Sequence, residues 1–242
     1  MSVSLPGIKN SFEIKLNSVR YNNDAKKKLS IIFIGIDIKM SVPGRKRGRP
    51  RLLDRDAGLE IAARLFWEHG YEGTSVADLT SAMGIPPPSL YAMYGSKDEL
   101  FSQALDFASV RETKVGLEAL QGKMAAREAV TLYLLDAAYR FADPGRPRGC
   151  MVSTAFLQYS EKSEDVAKAV ASRRELGLQT LKARLDRAIA EGELDRETDT
   201  DSLARFYGAV VQGMSAQACD GASEETLKRL VEIAMRAWPA PL

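Results

Sequence analysis

From residue 41 onward the apolar positions recur at helical spacing, with glycine, proline and capping residues between the runs. Ile61, Ala62, Leu65, Phe66 and His69 fall on one stripe of a helix opening at Asp54 or Arg55 and stopped by Gly70. Thr74 or Ser75 caps a short second helix carrying Val76, Leu79, Ala82 and Met83, which ends at Gly84. A third short helix reaches Tyr94 before Gly95, and Ser96 with Glu99 three residues on forms a capping box for a fourth. Longer helices are predicted over residues 126–142, 150–158, 163–191, 201–217 and 223–238. Asp143-Pro-Gly, the polar stretch 195–200 and Asp220-Gly221 separate them. No useful strand alternation follows residue 40, so the fold class is all-α.

Residues 1–40 follow no such pattern. They hold four asparagines (Asn10, Asn17, Asn22, Asn23), whereas residues 41–242 hold none, and their one candidate element is a strand over Ile31–Ile38. Two explanations fit: a regulatory arm, or upstream sequence read in frame ahead of Met40. The second is preferred, and no function is assigned to this extension. The resulting division is an extension over 1–40, a part over 41–101 and a part over 102–242.

Three consecutive prolines, Pro86-Pro87-Pro88, precede Ser89-Leu90-Tyr91. Proline lacks an N–H and breaks helix interiors, but the first turn has N–H groups without intrahelical partners, so proline is tolerated there. Because proline biases its predecessor away from the α region, Pro88 is the expected first helical residue. The unit is then helix, Gly84-Ile85 turn, helix, with Val76, Leu79, Met83, Ile85, Leu90 and Tyr94 as its apolar interior. That is the pattern of a helix-turn-helix, in which one helix braces another against a major groove.

Charge and inventory narrow the reading. Net charge is only +2 over 242 residues, so a nucleic-acid surface must be a local patch. Arg45, Lys46, Arg47, Arg49 and Arg51 supply one directly ahead of the first helix. Such an arm can enter a narrow minor groove; a solubilising tail, or non-specific phosphate binding only, is the plainer alternative. Gly145-Arg-Pro-Arg148 repeats part of the string and reads as a turn. Enzyme chemistry finds no support: His69 is the one histidine, and no phosphate loop, nucleophile elbow or metal-ligand spacing is present. No metal or cofactor is expected. Cys150 and Cys219 read as reduced thiols of a cytoplasmic protein, with Cys150 buried at a helix start. The longest apolar run, residues 31–38, is too short to span a bilayer, so no membrane partner is expected.

The run Leu65-Phe-Trp-Glu-His-Gly-Tyr-Glu-Gly-Thr-Ser-Val-Ala-Asp-Leu79, followed by Gly84-Ile85, Leu90-Tyr91, Tyr94, Ser96-Lys97 and Leu100-Phe101, resembles the DNA-binding domain of TetR/AcrR-type transcriptional regulators. The resemblance covers residues 50–101 and implies that Ser89, Tyr91 and Lys97 hold phosphates. Thr74 and Ser75, with the N–H groups opening the second helix, suit another phosphate. Ala77, Ala92 and Met93 depart from the family pattern and thin that grip. Pro86, Pro87, Pro88 and Ala92 would read bases by apolar contact and shape.

The resemblance further implies a homodimer on a pseudo-palindromic operator, most simply a repressor, released by a small apolar or aromatic effector. The stripes Val166, Val170, Leu178, Leu181, Leu185, Ile189 and Leu203, Phe206, Val210, Met214 would serve the dimer in part and the core in part. Pocket candidates are Phe101, Leu105, Phe107, Tyr133, Tyr139, Phe156, Tyr159 and Gln212, each of which also fits plain core. Two alternatives stand: an activator or architectural protein without effector, and a helical scaffold whose helix-turn-helix has decayed.

Overall fold

The computed structural model describes residues 53–154 and 164–239, excluding the side chains of 110–112. The basic run 45–51, Phe156 and Tyr159 lie outside the described residues. Among the described residues ten α-helices follow in order: α1 (Arg55–His69), α2 (Val76–Met83), α3 (Pro87–Tyr94), α4 (Lys97–Glu112), α5 (Lys114–Gln121), α6 (Ala126–Ala142), α7 (Met151–Thr154), α8 (Glu164–Ala190), α9 (Thr200–Cys219) and α10 (Glu224–Ala234). A 3₁₀ turn over Met235–Ala237 closes the described chain, and no strand occurs among the described residues.

The caps act as the sequence implies. Ser75 accepts from the Asp78 N–H while Asp78 accepts from the Ser75 N–H, and Ser96 and Glu99 do the same for α4. Gly84 ends α2 in the left-handed region at φ 65°, a conformation that favours glycine. Helix α5 was not expected; it is a short element with Gly116 in its interior, where an added Cβ would lie 2.9 Å from the Tyr133 ring.

Two apolar clusters organise the chain. One joins Leu59, Ala62 and Phe66 of α1 with Leu79 and Met83 of α2, Leu90 and Tyr94 of α3, and Leu100, Phe101 and Leu105 of α4. It continues into Met151, Val166 and Val170, so α7 and the start of α8 pack against the helix-turn-helix. The other joins Leu120, Val130, Leu134, Phe141, Leu181, Leu185, Tyr207, Met214, Leu227 and Val231 from α5, α6, α8, α9 and α10.

Helix α8 thus serves both clusters, and most of its expected dimer stripe is internal core. His69 departs from expectation. The buried stripe of α1 is Leu59, Ala62, Ala63 and Phe66, and His69 at the helix end is exposed, 4.0 Å from Glu68. Cys150 is half-buried just ahead of α7, and its N–H donates to Ser215 Oγ at 2.8 Å.

Candidate nucleic-acid interface

Helix α3 begins at Pro87, one residue before the position expected from the proline rule, with Pro86 as an extended N-cap. Its first N–H groups are accounted for. Pro86, Pro87 and Pro88 have none, and the Ser89 and Leu90 N–H groups bond Pro86 O at 2.9 and 3.3 Å. The usual helix N-terminal donors for phosphate are therefore missing from this end. What it exposes is an apolar, rigid rim: Pro86, Pro87, Pro88, Ala92 and one face of Tyr91, which is 50% exposed. Ser89 is half-buried between them.

The opposite face of α3 is clamped. Leu90 and Tyr94 are buried, and the Tyr94 hydroxyl donates to Arg55 O at 2.9 Å. Gly58 makes that contact possible, because a Cβ there would lie 1.9 Å from the Tyr94 oxygen. Two residues that sequence reasoning missed fix the C-terminal end. Arg55 donates to Met93 O and to Gln103 Oε1, while Gln103 Nε2 donates to Tyr94 O at 2.8 Å. Their only sequence signal was a polar side chain on each of two helices flanking α3.

The phosphate donors divide. Thr74 is fully buried and its hydroxyl donates to Gly70 O at 2.8 Å, so its side chain braces the turn after α1 and cannot reach DNA. Ser75 is exposed, but its hydroxyl serves the Asp78 carboxylate at 2.6 Å. Hydrogen bonds from the Ser75 side chain and backbone hold Asp78 below the usual carboxylate range, which leaves a negative charge beside this helix start. Lys97 is half-buried with its ammonium 4.1 Å from the centre of the Tyr71 ring. Burial pulls its pKa down, against Glu72 and Asp98, which act to raise it. Tyr71 in turn donates to Asp98 and packs edge-on against Phe101 at 5.2 Å. Tyr71 is thus the platform that holds Lys97 beside α3, a role the sequence reading did not assign.

Among the described residues, the candidates for the effector pocket fall in different surroundings. Phe101 and Leu105 are buried in the helix-turn-helix core, where α4 turns them toward α1. Tyr139 is 58% exposed and Gln212 lies on the exposed face of α9. Tyr133 is half-buried beside α5, where burial pushes its phenol up to about 12.

With this geometry in place, the comparisons with known proteins decide the family. Residues 59–104 match the family described as "Bacterial regulatory proteins, tetR family", and residues 132–234 match "Tetracyclin repressor-like, C-terminal domain". The chain belongs to the TetR family of transcriptional regulators.

It is 36% identical over 200 residues to the HTH-type transcriptional repressor ComR of Escherichia coli (strain K12), covering 81% of this chain and 93% of that one. It is 31% identical over 183 residues to the repressor BdcR of the same strain, covering 76% and 88%. Among solved structures it is similar to the TetR family regulator CifR bound to a 26-base-pair operator, with 43% identity and a TM-score of 0.76. That match covers 79% of this chain and all of the other. The TetR match over 59–104 contains α2, α3 and the start of α4, the elements that brace the apolar rim described above. Among the described residues no helix is long and apolar enough to cross a membrane.

Proposed function

We propose that this chain is a cytoplasmic, one-component repressor that binds a pseudo-palindromic operator as a homodimer and is released by a small-molecule effector. The carrying observation is α3: an exposed apolar rim at one end, with its other face and far end fixed by Leu90, Tyr94, Arg55 and Gln103. A rigid helix presenting side chains outward is what major-groove reading requires.

In this reading Pro86, Pro87, Pro88 and Ala92 contact thymine methyls and groove shape, whereas Ser89, Tyr91 and Lys97 face phosphates. The sparse charge among these residues leaves much of the affinity to the arm from Arg45 to Arg51. Repression is supported by the names of ComR and BdcR.

For the dimer, α9 and α10 supply the surface. Phe206 is 40% and Ile233 59% exposed, and Ala209, Gly213 and Ala216 form an exposed small-residue track along α9. A homodimer reading successive major grooves needs its two α3 helices roughly 34–36 Å apart.

The test is selection and sequencing of bound DNA from random oligonucleotides with the purified full chain. A recovered pseudo-palindrome is the expected result, and recovery of unrelated sequences would overturn the reading.

A further inference from the structure

Far along the chain from α3, a cleft of about 300 Å³ opens between the end of α5 and the second half of α8. Leu120 and Gln121 line it from α5, and Gln179, Thr180, Arg184 and Arg187 from α8. Arg184 is only 2% exposed. Its Nη2 donates to Met124 O at 2.7 Å and to Glu193 Oε1 at 2.9 Å. Its Nε and Nη1 are buried without a hydrogen-bond partner, and so is Nε of Arg187. Buried guanidinium donors are ordinarily satisfied, so three unsatisfied ones on two arginines of one cleft are a built deficit.

The nearby carboxylates do not fill it. Glu193 is committed to the Ala126 N–H and to Arg184; burial pushes its pKa up, but those hydrogen bonds outweigh that and hold it low. Glu191 stands 3.5 Å from Arg184 Nη1 and 3.6 Å from Arg187 Nε, longer than a charge-assisted hydrogen bond, with its side chain half exposed. It stands between the two arginines without a hydrogen bond to the buried Nη1 of Arg184 or Nε of Arg187. A ligand carboxylate matches the planar donors that Glu191 leaves unmet. Leu120 and Ala183 supply an apolar wall for the body of such a molecule.

We propose that this cleft binds a small organic carboxylate, whose carboxyl group displaces Glu191 from Arg184 and Arg187. Arg187 also donates to the carbonyls of Leu120, Gln121 and Gly122 at the end of α5, so engagement of its guanidinium re-sets α5 against α8. Helix α8 runs unbroken from Glu164 to Ala190. Nearer its start Arg173 donates to Asp106 Oδ1 at 2.6 Å and Ser102 Oγ at 3.3 Å, both on α4. The cleft thereby names the chemical class of the effector, and for that consequence it rests on the function proposed above.

The site is tested without DNA, by calorimetry on the full chain with hexanoate and its uncharged isostere hexanamide. Hexanoate should bind at least tenfold more tightly than hexanamide. Glu191→Gln should tighten hexanoate severalfold, because it removes the internal competitor. Ala183→Trp, at an exposed position of the cleft wall, should abolish binding with an unchanged unfolding temperature. Equal or absent binding of the two probes would overturn the site, as would hexanoate binding untouched by Ala183→Trp. Inorganic phosphate binding as tightly as hexanoate would overturn the organic-carboxylate assignment. Hexanoate that binds yet leaves a selected operator complex intact would overturn the effector role of the cleft.

Discussion

The indole Nε1 of Trp67 donates to the main-chain carbonyl of Arg148 at 3.2 Å, linking α1 of the DNA-binding half to the connection between α6 and α7. The same residue reaches the other way: the Arg148 guanidinium donates to Ala222 O at 3.1 Å and Ala218 O at 3.4 Å, at the C-terminal end of α9. Arg148 is therefore a joint between the helix-turn-helix and the helix assigned to the dimer. Trp67→Phe keeps most of the packing and deletes the bond. A neutral hydrogen bond contributes about 1 kcal/mol, or roughly 2–4 °C in a domain of this size. Thermal unfolding should show that decrease; an unchanged midpoint would mean that the link is idle.

Gly149, beside that joint, has φ 76°, and a Cβ there would lie 2.7 Å from Cys219 Sγ and 2.9 Å from Ser215 O. Gly149→Ala should therefore cost at least about 2 kcal/mol from left-handed strain and crowding together. Gly177, in the interior of α8, has nothing within 4 Å of an added Cβ. Gly177→Ala should stabilise the chain by about 0.5–1 kcal/mol, the difference in helix propensity. Denaturant midpoints of the two variants should move in opposite directions.

These positions show what was legible in the sequence. Local signals carried through: Ser96 with Glu99, Gly84 and the proline-tolerant first turn each depend on neighbours within a few residues. Facing was harder. Phe101 and Leu105 lie on α4 and enter the helix-turn-helix cluster; periodicity marks them as buried but cannot say which neighbours they meet. Thr74 looked like a phosphate donor because its burial depends on how α1 turns back through Gly70. The roles of Gln103, Arg148 and Arg184 arise from contacts across nine residues or more, for which a single sequence offers no pattern.

Arg55 and Gln103 predict a separation between stability and DNA reading. Gln103→Ala removes a donor from the Tyr94 and Glu99 carbonyls and an acceptor from Arg55. The α3 backbone then frays at its C-terminal end. The expected result is about 1–2 kcal/mol of lost stability, with operator affinity falling further than affinity for random DNA. Fluorescence anisotropy on both DNAs measures this, and parallel losses would assign Gln103 to stability alone.

Gly213 tests the dimer face. It is exposed on α9 with nothing within 4 Å of an added Cβ, so a larger side chain meets no obstacle within one chain. If two copies meet along Ala209, Gly213 and Ala216, Gly213→Arg places a bulky cation at the symmetry contact, where each change counts twice. Sedimentation should then report a monomer whose helical content is intact. Operator affinity should fall by orders of magnitude, because two half-sites are no longer bound together. A Gly213→Arg protein that remains dimeric would place the interface elsewhere. The partial exposure of Phe206 and Ile233 would then need another occupant.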